Sequence, residues 1–390
     1  MIDVARARRE TPGCEQVLHF NNAGAALMPA AVLDAMLEHL RLEAQIGGYE
    51  AADRARAAVS RVYDAAAMLL GCDRAEIAVV ENATRAWDMA FYSIPLGPGD
   101  RILTAQSEYA SNYIAYLQVA RRTGATVEAV PNDEHGQISV DALRGMIDDR
   151  VKLIAITHVP TNGGLVNPAE AVGQVAREAG VLYLLDACQS VGQMPIDVRR
   201  IGCDLLSTTG RKYLRGPRGT GLLYVRRAVL ERLEPPFLDL HAAEWVSAER
   251  YEMLPDARRF ENWETNYAGK IGLAVAIDYA LGLGLDVIWA RVSALAALLR
   301  SQLAELPGVT VRDLGVRRCG IVTFTVQGRD HQAIFRALSA QDINVRVSSA
   351  SGALLDMQSR GLSSVIRASV HYYNTEQEVE RFRDTLRSLV

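Results

Sequence analysis

Ser207-Thr208-Thr209-Gly210-Arg211-Lys212-Tyr213-Leu214-Arg215-Gly216-Pro217-Arg218-Gly219-Thr220-Gly221 joins two short apolar runs, Leu205 to Thr208 and Gly221 to Val225, that read as strands. Lys212 therefore follows a strand, sits beside the fixed cation of Arg211 and precedes a glycine-rich turn that lets backbone approach closely. A neighbouring cation destabilises an ammonium, and a lowered pKa is what a Schiff-base lysine needs. Thr209 and Arg211 add a hydroxyl and a guanidinium suited to a phosphate. Taken alone, the segment also fits a solvated basic loop.

Outward from it, the same rhythm runs through the middle of the chain. Ile77 to Val80, Arg101 to Thr104, Val127 to Val130, Leu153 to Thr157 and Leu182 to Asp186 are apolar, β-branched runs separated by helical stretches. That alternation predicts a parallel sheet covered by helices. Several runs end in small or polar clusters, such as Glu81-Asn82-Ala83-Thr84, Thr161-Asn162-Gly163-Gly164 and Asp186-Ala187-Cys188-Gln189. Ligands of open α/β sheets lie at the carboxyl ends of strands, so these clusters mark the expected site.

Asp186 closes a near-continuous apolar strand and needs a partner there. A protonated pyridine nitrogen is a matched one, because the carboxylate keeps such a ring cationic and electron-withdrawing. Lys212 follows 26 residues downstream. Ala83 and Thr84 open a helix after Ile77 to Val80, where amides and dipole favour an anion. An ordinary N-cap explains that start equally well; with Thr209 and Arg211 it becomes the third wall of a phosphate cup.

The rest of the chain narrows the field. Its 390 residues suggest two or three domains, and 49% apolar with 23% charged residues excludes a disordered chain. Lys and Arg number 42 against 46 Asp and Glu, a formal charge of −4, which gives no electrostatic case for a nucleic-acid partner. No G-x-G-x-x-G or G-x-x-x-x-G-K-[ST] is present, and the seven histidines lack helical metal-site spacing, so neither a nucleotide nor a metal is expected. The five cysteines form no CxxC pair, which favours the reducing cytoplasm. Residues 1 to 10 lack a signal-peptide core, and Asp278, Asp286 and Arg291 interrupt the apolar stretch from Ile271 to Leu303, so no membrane association is expected. The sequon at Asn82-Ala83-Thr84 reads as chance. An amphipathic helix with Leu33, Met36, Leu37 and Leu40 on one face is expected to pack inward. Beyond a Pro307-Gly308 break, a strand at Gly320 to Val326, a helix at His331 to Ser339 and a strand at Val365 to Val370 suggest a smaller α+β unit.

Together these residues resemble the class V aminotransferase family of type I fold pyridoxal phosphate enzymes, which includes cysteine desulfurases, isopenicillin N epimerase and C–S lyases. The resemblance extends from Phe20-Asn21-Asn22-Ala23-Gly24 to Ile366-Arg367-Ala368-Ser369. It implies an α/β fold, with a mostly parallel seven-stranded sheet in a large cofactor-binding domain (26–265) and a smaller α+β domain built from 1–25 and 266–390. It implies pyridoxal 5'-phosphate as cofactor, Lys212 as its covalent attachment and Asp186 as the pyridinium partner. Ala83, Thr84, Thr209 and Arg211 match phosphate positions, Gln189 a donor to the phenolic oxygen, and Tyr109 the place of the residue stacked on the ring. Either Thr161 or Asn162 faces the cofactor. Arg367 matches the arginine that grips a substrate α-carboxylate, with Asn22, Ala23 and Tyr49 as further substrate contacts. Thr265, in Trp263-Glu264-Thr265-Asn266, is expected to reach a partner's phosphate across a homodimer interface. Trp263, Arg346 and Tyr372 are further candidates for the substrate pocket.

Asn344-Val345-Arg346-Val347-Ser348-Ser349-Ala350-Ser351-Gly352 lacks the mobile-loop cysteine of desulfurases, and no cysteine follows Cys319. The reading therefore disfavours persulfide-forming desulfuration. Gly47-Gly48-Tyr49 and the Arg211 to Gly219 run are similar to lyases that cleave a C–S bond in ergothioneine biosynthesis, so β-elimination from an amino-acid substrate is preferred. Transamination and epimerisation share every residue named and remain alternatives, as does a non-catalytic protein that binds the cofactor.

Overall fold

The apolar runs assemble into one seven-stranded sheet in the order Ile77–Val80, Gly221–Val225, Leu205–Thr209, Leu182–Asp186, Val151–Thr157, Arg101–Ala105, Thr126–Val130. The computed structural model that shows this describes residues 2 to 390. All pairs are parallel except those of Gly221–Val225, which runs antiparallel to both neighbours. Its short connection from Lys212 explains the reversal, since a parallel return would need a crossover of a dozen or more residues. Central strands are buried on both faces and so read as continuous apolar runs rather than alternating ones. Leu184 and Leu205 enter the core with Trp87, Phe91 and Tyr116, while their neighbours Leu185 and Leu206 enter the opposite one with Val62 and Leu70.

A separate core supports the smaller unit. Its four-stranded sheet runs Val309–Val311, Ile321–Val326, Ser364–Ser369, Arg346–Ser349, each pair antiparallel. The N-terminal segment joins it: Leu18 and Phe20 are buried with Phe324 and Phe382, and Leu18–His19 pairs with Ile343–Asn344. The helix Tyr267–Leu283 contributes Leu273, Ala274 and Ile277 to the large core and Ala280 to the small one, tying the two together. Leu285–Ala304 is long and apolar enough to cross a membrane, yet it buries Ile288, Val292, Leu295 and Leu299 in the small core.

The helix Ala30–Ile46 departs from expectation. Its stripe does not pack inward: Leu33, Leu37 and Leu40 are 46%, 37% and 47% exposed. Only Met36 of that face lies close to Gly272 of the neighbouring helix. The helix packs through other residues, including Val32 and His39, which leaves an apolar face on the protomer surface.

Candidate active site

Thr157, Asp186 and Thr209 end three adjacent sheet strands, so their side chains meet at one edge. A cleft of about 550 Å³ opens there, lined also by Ala23, Asn82, Ala83, Thr84, Tyr109, Thr161, Cys188, Gln189, Arg211, Lys212 and Arg367. Eleven of the expected site residues thus come together from seven parts of the chain: Ala23, Ala83, Thr84, Tyr109, Thr161, Asp186, Gln189, Thr209, Arg211, Lys212 and Arg367.

The loop carrying Lys212 is fixed from two sides. Gly192, at φ +92, lies against the backbone of Tyr213 and Leu214, where a Cβ would overlap the Tyr213 carbonyl. Arg215, at φ +60, is buried and anchors the loop to the small unit: Nε donates to the Leu27 carbonyl at 2.8 Å and Nη1 to the Tyr372 hydroxyl at 2.6 Å. Its guanidinium also stacks on Tyr373 at 4.6 Å. Burial brings the Lys212 amine down to about 8, with Arg211 and Arg367 acting in the same direction. The dominant cause is thus desolvation, and the adjacent cation is the lesser one. The chain has only two other lysines: Lys152 is exposed, and Lys270 is buried against Glu261 at 3.4 Å.

Asp186 is oriented by two donors. The Cys188 amide reaches Oδ1 at 2.9 Å and the Asn112 side-chain amide reaches Oδ2 at 3.0 Å. Behind Asn112 stands Glu108, wholly buried, which accepts from Asn112 at 2.9 Å, from the Tyr109 amide at 2.8 Å and from Thr104 at 3.0 Å, and also from Thr157. The sequence reading passed over Glu108 and Asn112. Their one signal is a glutamate just ahead of a helix start with an asparagine in the first turn, and since Glu108 precedes the helix Ala110–Thr123 no helical spacing relates the two.

On the opposite side, Asn82 caps the helix Ala83–Phe91 by accepting from the Arg85 amide at 2.9 Å, leaving the Ala83 and Thr84 end open to the cleft. Gly221 permits the close approach: a Cβ there would stand 2.6 Å from the Asn82 carbonyl carbon. Arg211 donates to the Gly24 carbonyl beside this cup.

The alternatives at Thr161 and Asn162 separate clearly. Thr161 lines the cleft and accepts from Arg367. Asn162 turns into the protein, where neither side-chain atom has a partner, and does not line the cleft. Asn22 is likewise withdrawn: it donates to the Ser369 carbonyl at 2.7 Å and accepts from Tyr373, so it joins the terminal segment to the small sheet instead of touching substrate. Tyr372 is committed to Arg215, and Trp263 and Arg346 lie outside the cleft. Tyr49 and Thr265 share a different hollow with Leu40, Glu264 and Tyr267. Neither lines the cleft.

This donor set fits pyridoxal phosphate. Gln189 Oε1 is buried without a partner at the cleft wall, and its amide nitrogen, which donates to Ala23 at 3.1 Å, keeps a second hydrogen. Asp186 would hold the ring nitrogen, Gln189 the phenolic oxygen, and Ala83, Thr84, Thr209 and Arg211 the phosphate. Arg367, buried and pressed down to about 10 by that burial, remains a cation at neutral pH with Nε unpartnered. A type I fold with a lysine and an aspartate at this edge defines a pyridoxal phosphate enzyme.

Comparison with known proteins places the chain within that class. The family model Aminotransferase class-V matches residues 18–382, and the chain belongs to that family. A probable cysteine desulfurase of Pyrococcus abyssi is 30% identical, covering 98% of this chain and 96% of the relative. One of Xylella fastidiosa is 32% identical over 94% and 89%. The apo structure of a cysteine desulfurase from Thermococcus onnurineus NA1 superposes with a TM-score of 0.93 at 28% identity, covering 100% and 98%.

These relatives overturn the expectation of a β-eliminating C–S lyase, with its transaminase and epimerase alternatives, and the exclusion of persulfide-forming desulfuration. That exclusion rested on the segment 344–352 having no cysteine. The inference fails because cleaving the C–S bond depends on groups that hold Cα and move its proton. The thiol that receives sulfur need not belong to this chain.

Proposed function

We propose that the protein is a pyridoxal phosphate-dependent cysteine desulfurase that converts L-cysteine to alanine and passes the sulfur to a thiol. The observation that carries this is the joint placement of Lys212 and Arg367 on one cleft that ends on Asp186, together with relatives that bear that name along nearly the whole chain. Bound pyridoxal phosphate supplies an electron sink for negative charge at the substrate's Cα.

The chain's residues do the remainder. Arg367 pairs with the substrate carboxylate through two N–H groups and so sets which Cα bond faces the cofactor. Lys212 would hold the cofactor and, as a free amine, would take the Cα proton; an amine near 8 suits that proton transfer at neutral pH. Asp186, held by Cys188 and Asn112, keeps its carboxylate against the ring nitrogen. An incoming thiol then attacks the substrate sulfur. The C–S electrons remain with Cβ, which takes up a proton, so that cysteine and a thiol give alanine and a persulfide with atoms and electrons balanced. Cys188 is the one cysteine on the cleft wall, and burial beside Asp186 raises its thiol well above the usual range, so it is a poor nucleophile. The acceptor enters instead from solution past Tyr109, which is 40% exposed.

A homodimer in the cytoplasm completes the proposal. The exposed stripe Leu33, Leu37 and Leu40 lies beside the hollow holding Tyr49 and Thr265, which supports a second copy covering that face. Five free cysteines support a reducing compartment. The function is tested by supplying L-cysteine and excess dithiothreitol to the cofactor-loaded protein. Alanine and sulfide should form one to one, and Lys212→Ala should form neither. Pyruvate with ammonia, or amino transfer that depends on a keto acid, would overturn the proposal.

A further inference from the structure

Glu108 is a buried carboxylate that accepts four hydrogen bonds and takes part in no ion pair among the described residues. Groups face it from every element around it: Thr104 from its strand, Asn112 and Tyr116 from the helix Ala110–Thr123, Thr157 from the next strand, and Asp186 one strand further. Of these only Asp186 is another carboxyl, and it acts on Glu108 with the same sign of charge. Tyr116 is held in its neutral form by burial. A single amide joins the two carboxylates, because Asn112 Nδ2 gives one hydrogen to Asp186 and the other to Glu108. Isolated negative charge without a counter-cation is costly in such surroundings. Burial accordingly raises Glu108 to about 7, with Asp186 adding to the rise.

We propose that Glu108 is a positioning residue for the cofactor ring: it carries a proton in the cofactor-free protein and releases it when the cationic ring nitrogen settles on Asp186. Lys212 lies within electrostatic reach of Asp186 but does not act on Glu108, and a pyridinium at Asp186 would add a cation in direct contact with the hydrogen-bonded pair. With Glu108 ionised, two carboxylates face one cation through Asn112, and the ring nitrogen holds its proton more firmly. The balance is simple. Glu108 contributes one proton released to solvent, while the ring nitrogen, the Lys212 amine and the phosphate exchange theirs in wild type and variant alike, so the difference between the two proteins counts the Glu108 proton. This inference rests on the cofactor and not on the choice of substrate.

Proton counting tests it without any turnover. Cofactor-free protein is titrated with pyridoxal phosphate in buffers of differing ionisation enthalpy, as wild type and as Glu108→Gln. Glutamine preserves the contacts: its oxygen can accept from Tyr109, Asn112 and Thr157 while its amide donates to Thr104. The proton count of wild type should differ from that of the variant by about half a proton at pH 7, the difference vanishing by about pH 9, where Glu108 is ionised beforehand. The internal band of the bound cofactor should also lose its protonated-ring form at lower pH in the variant. Equal proton counts from pH 6 to 9 would overturn the inference. Should the variant fail to fold, infrared difference spectra of wild type decide alone. A protonated carboxyl band should disappear on cofactor binding, and no such loss would overturn it.

Discussion

Lys212 shows how much of its chemistry follows from where a residue is buried. The amine is desolvated at the end of a strand, and burial outweighs the field of Arg211 in lowering its proton affinity. In the proposed function the neutral amine is the nucleophile that captures the cofactor. The rate at which cofactor-free protein binds pyridoxal phosphate covalently should therefore rise with pH through a midpoint of about 8, measured by the growth of the visible band. A midpoint at the ordinary lysine value of 10.5 would show the site to be wetter than its geometry. Lys212, Asp186 and Arg367 were legible in the sequence because each sits at the end of an apolar run or inside a short polar motif. Asn22 lies off the cleft, and of the alternatives Thr161 and Asn162 it is Asn162 that does, for a reason no local pattern reveals. One is taken by Ser369 and Tyr373 from the far end of the chain, and the other is turned away by the fold of its loop. Glu108 was hidden in the same way, since its depth depends on three strands and a helix that meet around it.

At the scale of elements, the strands were readable to within a residue or two because burial on both faces makes them continuous apolar runs. The reversal of Gly221–Val225 was less visible, as it depends on connection length more than composition. Small exposed pieces escaped notice altogether. The hairpin Ala243–Ser247 with Arg250–Met253 buries little of either strand, so no periodic signal marks it. Glycines carry a second layer of information: Gly192 allows the turn after Asp186 to lie on the backbone of the Lys212 loop. Replacing it with alanine combines a positive φ with backbone overlap. Gly192→Ala should cost about 1–3 kcal/mol of stability in denaturant unfolding and weaken cofactor retention. Unchanged unfolding would mean that the two loops are less closely packed than their coordinates show.

For the whole molecule, a large sheet with a core on each face and a small unit with its own, tied by one helix, leave the cleft at the edge of the large sheet, where Arg367 of the small sheet joins it. The helix Ala30–Ile46 leaves Leu33, Leu37 and Leu40 exposed beside the hollow of Tyr49 and Thr265, the face that the proposed homodimer would cover. Leu37→Glu should shift the protein from dimer to monomer in light scattering, because a charge would be buried in the contact; an unaltered dimer would place the interface elsewhere. The sequence could not reveal this face, since its periodicity is that of any packed helix and only the absence of a neighbour distinguishes it. Everything functional in the account depends on one covalent attachment. Borohydride reduction of the loaded protein, followed by digestion and mass spectrometry, should place the cofactor on the peptide containing Lys212 and on no other. Label on Lys152 or Lys270, or none on any lysine, would contradict the account.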